Sequence, residues 1–357
     1  MKKVSIVLAG GKGERFWPLS RENYPKQFLK IYDDKPMLVH SIERLKKIFE
    51  DIYIVSNELL MDKIKKIINI SDKQAMIEPK RKNTAPCLIY SLSFLERMYG
   101  ENTVVFVGPT DHYIGKLEFF FKAVNFGMNM AEKFDCLITF GIEPTRVETG
   151  YGYIQKGEKI TSSDGNLLYK VKKFKEKPDF ETAKKYYTDS RYLWNSGIFT
   201  WTIKTFKNEL KKHAHSFYEW YEFLLSSKND SEFHRRTYEF FQKIQPISID
   251  YALLEKSDNV YVVESYFTWD DLGSWTALER IIPPDENSNV VRGKIFMRDS
   301  YDNIVYSESK PIALFGVENM IVVETPDLTF ICPKSKIHKL KEYINSMKNN
   351  PEFNKYV

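Results

Sequence analysis

Three groups of residues have types and spacings that could do chemistry. The first is the string Leu8-Ala9-Gly10-Gly11-Lys12-Gly13-Glu14-Arg15-Phe16-Trp17-Pro18-Leu19-Ser20, which follows the apolar residues 4–8. Glycines let a backbone turn tightly and approach a ligand closely, because no Cβ intervenes. With backbone N–H groups and the cations Lys12 and Arg15, the loop makes a cradle for polyphosphate. The second group is carboxylates. Asp111 lies in Gly108-Pro109-Thr110-Asp111-His112, and Asp270 and Asp271 lie in Trp269-Asp270-Asp271-Leu272-Gly273-Ser274-Trp275. Mg²⁺ prefers such hard oxygens, usually one or two carboxylates together with substrate phosphates. The third group mixes glycine, aromatic rings and amides, in Glu148-Thr149-Gly150-Tyr151-Gly152-Tyr153 and Trp194-Asn195-Ser196-Gly197-Ile198-Phe199. Close backbone approach, ring faces and amide forks suit a sugar.

Each group also has a plain structural reading. A lone aspartate is commonly a turn residue or helix cap, and Asp271 or Ser274 would cap a helix after Gly273. Glycines among tyrosines suit hairpin turns as well as sugars. Lys26 in Tyr24-Pro25-Lys26-Gln27-Phe28 and Lys177 in Phe174-Lys175-Glu176-Lys177-Pro178 have a neighbouring proline that limits the backbone, yet a typical lysine is simply solvated. Two better-known phosphate loops are excluded. Lys12 is followed by Gly13-Glu14 rather than Ser or Thr, and Phe16 stands where a dinucleotide fingerprint needs its third glycine.

The elements that must hold these residues alternate in the first half of the chain. Strands are expected at 52–55, 75–77, 103–107 and 136–140. Helices are expected after Pro36, over Leu60-Ile64-Ile67, after Pro86 and over 119–131. Repeated βα units with short apolar strands imply a mostly parallel sheet covered on both faces, with ligands at its carboxyl edge. The loops after Leu8, Ile77, Val107 and Phe140 should share that edge. Hairpin-like strands follow over 150–201, helices over 205–256, and strands at 260–263 and 266–269. Pro283-Pro284-Asp285-Glu286-Asn287 reads as a linker. Short strands then come at 290–291, 304–306, 312–314, 321–323 and 328–331, and a helix at 336–347.

Composition excludes several classes. At 357 residues and 43% apolar the chain can bury a large core. No apolar stretch approaches the ~20 residues of a membrane span, and the N-terminal apolar run is shorter than the ~7–15 residues of a signal peptide core. Cys87, Cys136 and Cys332 have no paired spacing, which argues against a disulfide framework or zinc site and for a cytoplasmic setting. The net charge of +5 is spread in short pairs, unlike the concentrated patch of a nucleic-acid binder.

The string from Leu8 to Ser20, with Arg15 and Pro18 in register, resembles the signature of the sugar-phosphate nucleotidylyltransferases. Glu78-Pro79, Asn83-Thr84-Ala85-Pro86, the segments around Asp111, Gly150, Glu176-Lys177 and Asn195, and the Trp269–Trp275 string come in that family's order. The ordered set is similar to the branch of mannose-1-phosphate guanylyltransferases, over residues 1–280 and more weakly beyond. The resemblance implies a Rossmann-like α/β catalytic domain at 1–284. A short left-handed β-helix and closing helix follow at 285–357, and the apolar strands of the β-helix are expected to pair with a second copy as a homodimer. It implies Mg²⁺-dependent joining of GTP to mannose 1-phosphate, giving GDP-mannose and pyrophosphate, with no nucleic-acid or membrane partner. Carried over by position, Leu8, Gly10, Gly11, Gly13, Asn83, Ala85 and Asp111 bind nucleotide, and Arg15 and Lys26 serve the transfer. Gly150, Glu176, Lys177 and Asn195 bind the sugar phosphate. Asp111 and Asp271 hold the metal, with Asp270 the lesser partner and His112 structural. Guanine offers two adjacent donors, so Glu78 is the expected reader of the base. Lys82 departs from the family by standing where Arg is common, which loses a bidentate fork. The long extra domain of bifunctional relatives is missing, so no isomerase activity is expected. The alternatives are a sibling enzyme with another base or hexose, a non-catalytic regulatory homologue, and a glycosyltransferase of related fold.

Overall fold

The first strand, β1 (Lys3–Leu8), buries its four inner residues, as an apolar run covered on both faces should. The computed structural model describes residues 1–11 and 13–357; Lys12, expected in the phosphate cradle, lies outside the described residues. The described chain divides into two compact units. One comprises Met1–Gly10, Ser41–Thr110 and Ile114–Trp269, the other Gly11–His40, Asp111–Tyr113 and Asp270–Val357. The chain therefore passes between them five times, and the phosphate-type loop is split at Gly10/Gly11.

In the first unit, β2 (Asp51–Ser56), β3 (Ala75–Ile77) and β4 (Val104–Pro109) join β1 in parallel, in the order β3-β2-β1-β4. The short β5 (Tyr113–Gly115) follows. The sheet then continues with β6 (Leu137–Ile142), β7 (Tyr153–Ser163), β8 (Asn166–Lys175), β9 (Tyr192–Thr202) and β10 (Val260–Ser265). Among the described residues it has nine strands, in the order β3-β2-β1-β4-β9-β6-β10-β8-β7. Only β8 and β9 oppose the common direction, so the expected mostly parallel Rossmann-like sheet is present. Strand order reverses at β1/β4, where open α/β sheets offer a crevice at the carboxyl ends. The antiparallel β9 lies between β4 and β6 and pairs Asn195 with Gly141 near the end of β6.

Helices cover this sheet. α1 (Met37–Leu45) contains the boundary between units. α2 (Glu58–Ile67) starts where Asn57 accepts from the Leu60 N–H at 2.9 Å. α3 (Thr84–Tyr99) is buried over most of its length, because α6 (Ile203–His213), α7 (His215–Leu225) and α8 (Asp230–Lys243) form a helical layer with it. The Tyr90 and Phe94 rings meet Phe233 of α8 at 5.9 and 5.8 Å. α4 (Leu117–Phe134) seats closely because it carries Gly127, where a Cβ would come within 2.8 Å of the Phe140 ring. α5 (Phe180–Tyr187) begins at the Asp179 cap. The helical stretch expected to reach residue 256 ends instead in a π-helical turn, Asp250–Leu254. The strand expected at 266–269 is β11 (Thr268–Asp270). No helix among the described residues is long and apolar enough to cross a membrane.

The second unit gathers around Trp275. Its ring meets Phe16 at 5.2 Å and its indole N–H donates to the Trp17 carbonyl at 3.0 Å. Leu19, Leu272, Ile304, Ile321 and Ile344 complete this core. Beyond the proline-rich segment, β12 (Val290–Arg292), β13 (Ile295–Arg298), β14 (Ile304–Ser307), β15 (Ile312–Phe315) and β16 (Met320–Glu324) form two parallel ladders, β12-β14-β16 and β13-β15. β17 (Thr329–Pro333) closes antiparallel on β16. This is a β-helix, and β13 is the strand that the sequence pattern did not disclose. Its corners stack buried asparagines. The Asn303 side-chain amide donates to the Asn289 side-chain oxygen at 3.0 Å and to the Val317 backbone carbonyl at 2.8 Å, so both of its donors are used. The expected terminal helix begins as a 3₁₀ turn and continues as α9 (Leu340–Lys348).

Candidate functional site

Four of the residues singled out for transfer and metal binding, Arg15, Lys26, Asp111 and Asp271, belong to the second unit. Lys26 is their centre and is 5% exposed. Its ammonium lies 3.2 Å from Asp111 Oδ2, donates to the Asp271 carbonyl and sits 5.9 Å over the Phe16 ring. Gly13 permits this arrangement. Its φ is +61°, and a Cβ there would stand 2.6 Å from the Lys26 backbone nitrogen. A Cβ on Gly273 would touch both Asp271 carboxylate oxygens at 3.2 Å and the Arg15 guanidinium at 3.4 Å, so Arg15 and Asp271 flank the same glycine. Burial works against ionisation of Asp111, but the Lys26 ammonium and His112 outweigh it and hold the carboxyl below its ordinary range. Burial, aided by Lys26, keeps His112 below its ordinary value against the pull of Asp111, Asp271 and Asp270.

Asp270 is placed differently from its neighbour. It is 4% exposed, receives both Arg280 Nε and Nη2 (2.5 and 2.8 Å), and accepts the Leu272 N–H at 2.8 Å. Leu272 has a left-handed φ of +48° and is fully buried. Asp270 therefore shapes the turn that carries Asp271. The carboxylates of Asp111 and Asp271 suit the donor set of Mg²⁺, whereas those of Asp270 are committed to Arg280 and the turn.

In the first unit, the Leu8 carbonyl accepts the Thr110 N–H at 3.2 Å and its hydroxyl at 3.1 Å, which ties together the loops after β1 and β4. A Cβ on Gly10 would meet nothing within 4 Å, and Gly11, opening the second unit, behaves the same way. Glu78 follows β3 and is 7% exposed. Burial pushes its carboxyl up to about 7, although a Cys87 hydrogen bond and the Arg81 charge pull the other way. Asn83 caps α3 with a left-handed φ of +70°, and Ala85 is buried with its N–H donated to the Ile247 carbonyl at 3.1 Å.

The sugar-type residues meet one another around β9. The Asn195 backbone N–H donates to the Gly152 carbonyl at 2.8 Å, and a Cβ on Gly152 would collide with the Glu176 carboxylate. Gly152 is thus closely approached by the protein itself, whereas Gly150 is exposed and donates its N–H to Glu148 at 3.0 Å. Lys177 adopts a left-handed φ of +43° and its ammonium reaches Glu176 at 2.5 Å. The Asn195 amide is fixed at both ends. Its oxygen accepts from Thr139 at 2.8 Å and Gly197 at 3.3 Å, and its nitrogen donates to Asp250 at 2.9 Å. That leaves one amide N–H to give to a hydroxyl. Burial, and then the neighbouring Glu176 charge, push the Asp250 carboxyl up to about 6. The sequence pattern singled out none of Asp250, Arg280 and Arg146. Arg146 stacks 4.8 Å over the Trp194 ring and donates to the Tyr151 hydroxyl at 3.0 Å. Each sits in a stretch whose local pattern is ordinary.

Comparison with known proteins adds to this geometry. The family model described as Nucleotidyl transferase matches residues 4–288, and that of the MannoseP isomerase/GMP-like beta-helix domain matches residues 293–347. A mannose-1-phosphate guanylyltransferase of Salmonella muenchen is 36% identical over 355 residues, covering 98% of this chain and 74% of the relative. A solved Thermus thermophilus structure, described as mannose-1-phosphate geranyltransferase, superposes with a TM-score of 0.87 at 30% identity, covering 98% of this chain and all of that one. A Helicobacter pylori structure described as mannose-6-phosphate isomerase gives a TM-score of 0.60 at 28% identity over 76% of this chain and all of its own.

Proposed function

The chain belongs to the nucleotidyl transferase family, and we propose that it joins GTP to α-D-mannose 1-phosphate, giving GDP-mannose and releasing pyrophosphate. The observation that carries this reading is Lys26, a nearly buried ammonium tied to Asp111 and to the Asp271 backbone, with Arg15 beside Gly273. A phosphate oxygen of the sugar ester attacks the α-phosphorus of GTP. The new O–P bond forms as the bond to the β-phosphate bridging oxygen breaks, and the electron pair leaves with pyrophosphate. The nucleophile is already an anion, so no side chain has to take a proton, and His112 has no base role in that scheme. The obstacle is repulsion between two polyanions. Fixed cations already in place lower it without reorganising at the moment of reaction.

In this reading Arg15 and Lys26 neutralise the triphosphate, while Lys177 meets the sugar phosphate. Glu176 accepts from sugar hydroxyls, and Asn195 donates its remaining N–H. Gly10 and Gly11 allow close backbone approach, with Asn83 and Ala85 nearby and Glu78 reading guanine in its ionised form. The donor set of Asp111 and Asp271 fits Mg²⁺, which when bound would supply charge neutralisation at the phosphates. The unpaired cysteines suit a reducing cytoplasm. Exposed Phe296 and Phe315 on the β-helix support a homodimer.

The test is pyrophosphate release with each nucleoside triphosphate against each hexose 1-phosphate. GTP with mannose 1-phosphate should give the highest kcat/KM. A different best pair would make the protein a sibling transferase, and pyrophosphate from no pair would make it a binding homologue.

A further inference from the structure

The π-helical turn Asp250–Leu254 lies against the sugar-type residues, with Asp250 hydrogen-bonded to Asn195. π-Helical turns concentrate at functional sites. The turn closes by a hydrogen bond from the Glu255 N–H to the Asp250 carbonyl at 2.9 Å, an i to i+5 bond. In an α-helix, residues five apart point to different faces, because the repeat is 3.6. The wider turn brings Asp250 and Glu255 back to one side. Both side chains are used there. Asp250 Oδ1 accepts the Asn195 amide at 2.9 Å, and Glu255 Oε1 accepts the backbone N–H of Glu176 at 2.8 Å. One turn therefore holds the two residues that face the hexose, each through a charge-assisted hydrogen bond.

We propose that Asp250 and Glu255 are positioning residues of the hexose pocket, and that the π turn between them sets the orientation of the Asn195 amide and the path of the Glu176 backbone. The proposal rests on the reading of Glu176 and Asn195 as sugar ligands. Asp250 acts on hexose 1-phosphate through Asn195. Without it the amide is held only at its oxygen, by Thr139 and Gly197, and its donor is free to swing away from the sugar. None of these hydrogen bonds involves the Lys26 cluster, so the nucleotide should be indifferent to them.

The experiment compares Asp250→Ala and Asp250→Asn in the full chain. Asparagine keeps a carbonyl oxygen that can accept from Asn195, and alanine does not. Loss of a hydrogen bond to a charged acceptor corresponds to roughly a tenfold to hundredfold change. Asp250→Ala should raise KM for mannose 1-phosphate at least about tenfold and weaken GDP-mannose binding to match, with KM for GTP and affinity for GDP unchanged. Asp250→Asn should bring the sugar KM back to within about threefold of the parent, the spread expected for a retained hydrogen bond. An unchanged sugar KM in Asp250→Ala overturns the proposal. So does an equal rise in both KM values, or an asparagine variant as impaired as the alanine one. Should Asp250→Ala fail to fold, Thr139→Val removes the opposite hold on the same amide and must give the same split. If the parent protein turns over no hexose 1-phosphate at all, the proposed function fails instead, and the two failures are distinguished.

Discussion

Replacing Glu78 by Gln should make the protein more stable in alkaline solution and hardly change it in acid. The carboxyl is 7% exposed, and burial raises it from an ordinary value of 4.5 to about 7. The fold thus favours the neutral acid. That contribution is fully present below 4.5 and is lost as pH rises through 7, because the folded state must then either hold a buried charge or give up the proton late. Each tenfold step in proton affinity is about 1.4 kcal/mol, so the parent should lose roughly 2.5 kcal/mol between pH 5 and pH 8 relative to Glu78→Gln. For a unit of this size that corresponds to a melting difference on the order of 5 °C. Glutamine has nearly the same shape and cannot ionise, so scanning calorimetry of both proteins at pH 5 and pH 8 isolates the effect from Asp250, which titrates identically in each. A melting gap that is the same at both pH values would refute the assignment of burial as the cause. A gap that shrinks towards pH 8 would show that the ionised form is the stabilised one.

Four further outcomes are expected. Lys26→Ala should lower kcat at least on the order of 10²-fold, since a preorganised charge at a developing anion is worth that much; a near-parental rate in a steady-state assay would remove Lys26 from the transfer step. Gly13→Ala combines a positive φ with a collision against the Lys26 backbone, so it should reduce turnover as severely while leaving the first unit's sugar residues in place, which kcat against GDP-mannose affinity would reveal. Arg280→Ala leaves the nearly buried Asp270 without its bidentate partner and should cost about 1–2 kcal/mol, the partly exposed guanidinium discounting the full penalty; thermal unfolding checks this. Glu78→Gln should also blur the preference for GTP over ATP and UTP, and an unchanged preference would rule Glu78 out as the reader of the base.

Much of this molecule could be read from its residues, and the limits have physical causes. The βα alternation up to residue 142 is plain because parallel strands buried on both faces are nearly continuous apolar runs, as in Lys3–Leu8 and Leu137–Ile142. The β-helix was less legible. β13 and β15 each alternate half-buried and exposed residues over only four positions, too short for a period to declare itself, and only the second was expected. The division into units could not be read at all. Residues 11–40 join the C-terminal segment through Phe16, Trp17 and Trp275, a contact across some 250 positions that no local pattern encodes. Among site residues, Asp111 stood at the expected ligand edge of the sheet, whereas Lys26 was singled out only by family resemblance. Asp250 was not singled out, because its role depends on a π turn, and a sequence periodicity built on 3.6 residues has no signature for an i to i+5 bond. Gly150 and Gly152 are not told apart by their strings. Both are glycines beside tyrosine, and only the approach of Glu176 separates them.

The central claim, that this chain transfers a nucleotidyl group between a sugar phosphate and pyrophosphate, is tested most directly in reverse. The purified protein would be incubated with GDP-mannose, Mg²⁺ and radiolabelled pyrophosphate, and the label followed by chromatography. The account predicts label in GTP with an equal amount of mannose 1-phosphate, at a rate that collapses in Lys26→Ala. Label that stays in pyrophosphate while GDP-mannose is left intact would contradict it.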